Sequence, residues 1–311
     1  MIAFACSMRE PDAYRDHAAP GIALAAGPDS EVFPFAAAGE ICLDYNIVLD
    51  ELAGRDDLEA LVLVDGDTEI ADPEFCAKVR AALADPDVAL VGCAGATGVE
   101  GPAWWEGDLV AGAVRQRYTV LGGGEIEAFG WSRARRPPAE VDAVGGFLLV
   151  LSPWAVRSLR FDEGLRLGVG FDLDFALRVR QAGKKVVAAD MRVIRHRELD
   201  VLEDPDVWVE GHIALAEKWD GRLPGAPPRP TDWKERARLA EAERDAARAW
   251  SYSHYSRREA QLVPLERDLE ALTTTLGWRV TAPLRWLNAR RRGDATPPVR
   301  GGSPRVRSRT G

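Results

Sequence analysis

Two aspartates flank a glycine at the end of an apolar run in Leu61-Val62-Leu63-Val64-Asp65-Gly66-Asp67. A hard divalent cation, Mn2+ or Mg2+, takes a carboxylate from the protein and fills its shell from phosphate and water. Such an ion would neutralise charge on a departing nucleoside diphosphate. A bare Asp-x-Asp is also a common polar turn; its place at the end of a buried strand, where parallel sheets put their ligands, shifts the reading towards a site. Gly66 would let the backbone approach closely. A second carboxylate pair lies in Gly168-Val169-Gly170-Phe171-Asp172-Leu173-Asp174-Phe175, a glycine-rich loop entering a helix. Asp172 reads as the helix N-cap with Asp174 in the first turn, near the positive end of the dipole. Alternatively, one of the two is a general base for an acceptor hydroxyl, and both roles can coexist. His196, in Val193-Ile194-Arg195-His196-Arg197, is a candidate metal ligand, although a histidine between arginines is more often a surface residue. His17, His212 and His254 have no comparable setting.

These residues need a scaffold, and the pattern supplies one. Short apolar runs at residues 2–6, 32–35, 60–64, 88–91 and 147–151 alternate with helix-period segments, which predicts βαβ units on a largely parallel sheet. Residues 39–53 carry Ile41, Tyr45, Val48, Leu49 and Leu52 at helical spacing, and Asp72 with Pro73 opens a helix over 73–84. Helices are also predicted over 172–182, stopped by Gly183, and over 205–219. Residues 95–138, with Trp104-Trp105, Trp131 and Gly122-Gly123-Gly124, break the rhythm and predict a long functional loop. Trp104 or Trp105 would offer a ligand an aromatic face or anchor the loop.

Pro224, Pro227, Pro228 and Pro230 make residues 221–231 a stiff linker. A helical, amphipathic extension over 232–292 follows, its first part rich in Ala, Glu and Arg as a solvated or coiled-coil helix would be. Pro264 predicts a break in it. Residues 293–311 form a basic tail predicted to be disordered.

The formal charge of −9 argues against nucleic-acid binding by the body of the protein. The first residues lack a basic leader and long apolar core, and no stretch is long enough to span a bilayer, so a cytoplasmic location is expected. Cys6, Cys42, Cys76 and Cys93 are scattered singly, as small buried hydrophobes are.

Taken in order, these features resemble the GT-A-type glycosyltransferases, in particular a family-2-like bacterial group that includes a streptomycin-biosynthesis protein. The likeness covers most of residues 2–219. It runs from Cys6-Ser7-Met8-Arg9-Glu10 through residues 37–46 to Asp65-Gly66-Asp67. Val144-Gly145-Gly146-Phe147-Leu148, Phe161-Asp162-Glu163, Phe171-Asp172-Leu173-Asp174, His196 and Lys218-Trp219 follow. The resemblance implies a Rossmann-like α/β domain over residues 1–220 and an inverting transfer from a nucleoside-diphosphate sugar to a hydroxyl acceptor, a glycan or lipid-linked intermediate. It implies metal at Asp67 with His196, and Asp172 as base with Asp174 beside it. Cys6, Ser7, Arg9, Glu10, Asn46, Asp65, Gly66, Asp67, Gly145 and Gly146 would lie against the donor, and Trp104 and Trp105 on the acceptor side. The chain departs from the pattern at Phe171, where the family has an acid, at Phe35-Ala36-Ala37, where an acid holds the nucleoside, and at Gly145, where Asp is frequent.

Residues 278–285, Trp-Arg-Val-Thr-Ala-Pro-Leu-Arg, are similar to a terminal motif of bacterial surface-polysaccharide enzymes. Residues 277–292 would therefore seat peripherally on the inner face of an anionic membrane, or dock on a partner. Two rival readings differ in class: a catalytically degenerate, nucleotide-sugar-binding scaffold, and a nucleotidyltransferase. The absence of a basic, glycine-rich triphosphate loop near the first strand ranks the latter last.

Overall fold

Unbroken aliphatic runs need cover on both faces, and they form the centre of a seven-stranded sheet. In the computed structural model, which describes residues 1–35, 39–120, 123–130, 133–165, 168–197, 204–219, 222–225 and 232–285, the fully buried strands are β1 (Ile2–Ser7), β3 (Ala60–Val64), β5 (Val88–Gly92) and β12 (Leu148–Leu151). With β2 (Glu31–Phe35), β13 (Lys185–Ala188) and β10 (Ala139–Val141) they order as β10-β13-β5-β12-β3-β1-β2. Strands β2, β1, β3, β5 and β13 run one way, and β12 and β10 run against them. The result is an α/β fold with a large, mostly parallel sheet flanked by helices.

Those helices are the segment α1 (Pro11–Ala13), a π-turn (Tyr14–Ala18) and α2 (Ala19–Ala25), then α3 (Ile41–Leu52), α4 (Phe75–Ala82), α5 (Pro153–Ser158), α6 (Phe171–Gln181) and α7 (Pro205–Trp219). The helix starts depart from expectation at two points. Asp72 accepts from the Glu74 N–H, so it caps a turn that precedes α4. Gly170, at φ 74°, caps α6, and Asp172 lies inside the first turn. Glycine alone takes that left-handed φ freely, and a Cβ there would come within 2.8 Å of Leu215.

Residues 95–138 are also not the long loop predicted. They supply strands to two small sheets: β11 (Ala143–Val144), β6 (Ala94–Thr97) and β7 (Asp108–Ala111) form one. The other comprises β4 (Thr68–Ile70), β14 (Val193–His196), β8 (Val114–Tyr118) and β9 (Gly124–Glu127). Each strand is at most five residues and several are half-polar, so neither a run nor an alternation is long enough to read locally.

The chain divides into two compact units, Met1–Arg229 and Pro230–Gly311. In the second, α8 (Trp233–Thr274) runs 42 residues from an N-cap at Asp232, whose carboxylate accepts the Lys234 N–H at 3.1 Å, and α9 (Leu276–Val280) follows. The break predicted at Pro264 does not occur. A proline removes one backbone hydrogen bond at roughly 3 kcal/mol, which a long helix built from good formers tolerates. Ala36 and Ala37, Gly122, Trp131, most of the linker, and residues 286–311 with the basic tail lie outside the described residues. Among the described residues no helix is long and apolar enough to cross a membrane.

Candidate active site

The reversed direction of β12 builds the site. Because β12 pairs antiparallel with β3, Leu148 opposite Val64, its entrance lies beside the exit of β3. The Asp65 N–H donates to the Phe147 carbonyl at 3.1 Å, which brings Gly145-Gly146 to the Asp65-Gly66-Asp67 turn. The next shared element is α6: the Gly146 N–H donates to Asp172 Oδ2 at 2.8 Å. Residues 65, 146 and 172, distant in sequence, thus meet at the carboxyl ends of the strands.

The electrostatics of the turn are those of a site short of positive charge. Burial, then the neighbouring Asp67, pushes the Asp65 carboxyl up to about 7, against the pull of Arg195 and Arg197; Asp172 adds to the rise. Cys6, at the end of β1, is fully buried, and burial followed by the charges of Asp65 and Asp67 pushes its thiol up to about 12. It is an inert wall residue. Asp67 accepts the Thr68 hydroxyl at 3.0 Å. Arg195 lies over the Phe147 ring at 4.5 Å, with a guanidinium nitrogen 3.8 Å from Asp67 Oδ2, and its buried Nε has no hydrogen-bond partner. In the sequence Arg195 carries no mark of a site beyond its place beside His196.

Asp172 is held on all sides. Besides Gly146, the Leu173 N–H donates to Oδ1 at 2.9 Å, and the Trp104 indole N–H adds a side-chain donor. Burial is the largest influence and raises its pKa, while these donors oppose the rise. The glycines are explained by packing: a Cβ on Gly145 would come within 2.7 Å of Trp104, and one on Gly146 within 2.6 Å of Phe171 and 3.2 Å of Asp172 Oδ2. Gly66 is under no such pressure, since a Cβ there would meet only ordinary contacts, at 3.5 Å from the Ser7 carbonyl and 3.6 Å from the Tyr14 nitrogen.

Several expected site residues are committed elsewhere. Asp174 is fully buried, accepting the Trp219 indole N–H at 2.8 Å and pairing with Lys218 at 2.6 Å, which also binds Asp162. It ties α7 to α6, a structural engagement for a residue expected beside the base. Asn46, also buried, donates to the Phe161 carbonyl and to Glu163 and accepts the Phe161 N–H at 2.7 Å, so it braces the 161–163 turn. His196 Nε2 bonds Glu69 at 2.7 Å and its ring stacks on His17 at 3.7 Å; only its backbone N–H reaches Asp67, at the carbonyl. Trp104 is 4% exposed, packed edge-on to Trp105 and against Phe129, so it offers no sugar a face. Trp105 is half-buried and leans on Trp208 at 5.6 Å. Ser7 is buried at the end of β1, whereas Arg9 and Glu10 are exposed at the rim, Arg9 donating to the Gly39 carbonyl at 3.3 Å.

Among the described residues, no three acidic, histidine or cysteine side chains form a metal cage. The Asp65–Asp67 pair still fits a divalent cation that draws the rest of its shell from a ligand: the Asp67 charge adds to the cost of ionising Asp65, and among the described residues the nearest paired guanidinium, that of Arg195, stays 3.8 Å from Asp67.

The chain matches no established protein-family model. It is 28% identical over 179 residues to the streptomycin biosynthesis protein StrF of Streptomyces griseus, a match covering 57% of this chain and 59% of that protein's length. Similar solved structures include the mannosyltransferase PcManGT of Pyrobaculum calidifontis in complex with GDP-Man and Mn2+, at 15% identity and a TM-score of 0.41, covering 94% of this chain and 86% of that one. Another is a glycosyltransferase involved in glycosylation of the major capsid of PBCV-1, at 7% identity and a TM-score of 0.25, covering 50% and 61%.

Proposed function

We propose that the chain transfers a sugar, with inversion, from a nucleoside-diphosphate sugar to a hydroxyl acceptor. The observation that carries this reading is the meeting of Asp65, Asp67 and Asp172 through Gly146 at the strand ends. Asp65 and Asp67 would hold a divalent ion, Mn2+ or Mg2+, which supplies charge neutralisation to the diphosphate. Arg195, whose Nε is unpartnered, supplies a second, fixed positive charge on the same side. Asp172 takes the acceptor's proton as its oxygen bonds the anomeric carbon and the bond to the diphosphate breaks. Its burial suits a base, since a raised pKa strengthens it, and the step would contribute about 10²–10⁴-fold. Trp105 and Trp208 stand on the acceptor side.

The likeness to StrF supports an acceptor in secondary metabolism, and the terminal motif one in surface polysaccharide. Exposed Trp278, Val280 and Leu284 support a peripheral membrane contact through residues 277–292 on the cytoplasmic face. Nucleotide binding without transfer is the second reading; the engagement of His196 by Glu69 favours it.

The test is the thermal stability of the protein with UDP, GDP, dTDP or CDP, with and without manganese. A ligand at a hundred times its dissociation constant adds about 2.7 kcal/mol. Stabilisation by one nucleotide only with metal, and release of that nucleoside diphosphate from its sugar conjugate, is expected. Stabilisation without release would select the second reading, and no response to any nucleotide would overturn both.

A further inference from the structure

Helix α8 is polar for most of its length, yet it carries Leu262, Leu265, Leu269 and Leu272 at spacings of three, four and three, all between 50% and 63% exposed. That is a period of 3.5, which keeps the leucines on one narrow seam along an α-helix. A helix that packs on a globular core, or lies in a membrane surface, presents a broader apolar face. Residues 261–275 also hold three acidic residues against one arginine, which opposes contact with anionic lipid at this point.

We propose that this seam pairs with the same seam of a second copy of the chain, as a parallel two-stranded coiled coil. The leucines are self-complementary: each occupies an a or d position and fills a hole between four residues of a like helix. In the parallel, in-register pairing Asp268 comes opposite Thr273 of the partner subunit, so no like charges meet there. Thr273 already bonds its own helix at the Leu269 carbonyl, 2.8 Å away, and makes no demand on the interface.

The experiment is the mass of the full chain by sedimentation equilibrium across a range of concentrations. About twice 34.0 kDa is expected at the upper end, falling to a single chain when Leu265 and Leu269 are both changed to Asp. The four native cysteines are all buried, so Leu262→Cys introduces an isolated exposed thiol; oxidation should link two chains through it, because parallel register sets residue 262 against its copy. A single-chain mass at every concentration would overturn the pairing, and if the leucine substitutions then lowered flotation with anionic vesicles the face would belong to lipid. A dimer unaffected by the double substitution would place the interface elsewhere, and a dimer in which Leu262→Cys does not cross-link would exclude the parallel register.

Discussion

Two carboxylate clusters stand in the first unit, and they differ in what balances them. Asp162 and Asp174 share Lys218, with the Trp219 indole completing the set, and this cluster fastens α7 to α6. Among the described residues no cation comes as close to Asp65 or Asp67: the guanidinium of Arg195 stays 3.8 Å from Asp67, and burial with the Asp67 charge lifts Asp65 to about 7 against the pull of Arg195 and Arg197. A buried acid that carries its own cation is structural. A pair that lacks one is arranged to receive a positive charge from outside.

The sharpest way to break this contrast is to exchange the effects. Asp67→Ala should abolish metal-dependent nucleotide stabilisation while leaving the melting temperature of the free protein unchanged or higher, as differential scanning fluorimetry would report. Lys218→Ala should do the reverse. It leaves the fully buried Asp174 with the Trp219 indole and the Arg178 guanidinium 3.8 Å away, and should destabilise the fold by up to about 3–5 kcal/mol, seen as a lower denaturation midpoint, with nucleotide affinity kept in whatever protein remains folded. Equal effects of the two changes on stability would dissolve the distinction.

Asp172→Asn should preserve metal-dependent binding and lower sugar transfer by about 10²–10⁴-fold; transfer at the normal rate would remove Asp172 from the base role. Trp104→Phe is a smaller change, taking one donor from the Asp172 carboxylate and favouring its protonated form. The acid limb of the transfer–pH profile should move to higher pH, a shift that mere loosening of the loop would not produce.

The two clusters should also respond oppositely to acid. Lys218 holds the Asp162 carboxyl below its ordinary value, so its contribution is present above the unfolded carboxylate range, near pH 4, and is lost as pH falls through the folded pKa. Asp65 is raised, so its contribution is fully present below that range and is lost as pH rises towards about 7. In metal-free protein, Asp65→Asn should therefore raise the melting temperature at pH 8 more than at pH 5. A constant difference across that interval would show that Asp65 is not perturbed.

The buried strands were legible in the residues because a long aliphatic run has few alternatives: β3 matches its predicted bounds, and β1, β2, β5 and β12 fall within a residue or two of theirs. So was α7, which matches at both ends. The small sheets were not, since their short half-polar strands are selected by partners far away in the chain. Local pattern also marked the Asp65–Asp67 turn and the Asp172 helix as places where chemistry could occur, but it ranked Asp172 and Asp174 together. They lie two positions apart on one helix, about 200° around its axis, so one meets Gly146 and the other Lys218 and Trp219. Composition and periodicity determined that this protein has a layered α/β sheet with carboxylates at its strand ends. Only tertiary contact decided which carboxylates are neutralised from within, because that depends on which side chains from other elements reach each oxygen, and spacing along the chain does not encode it.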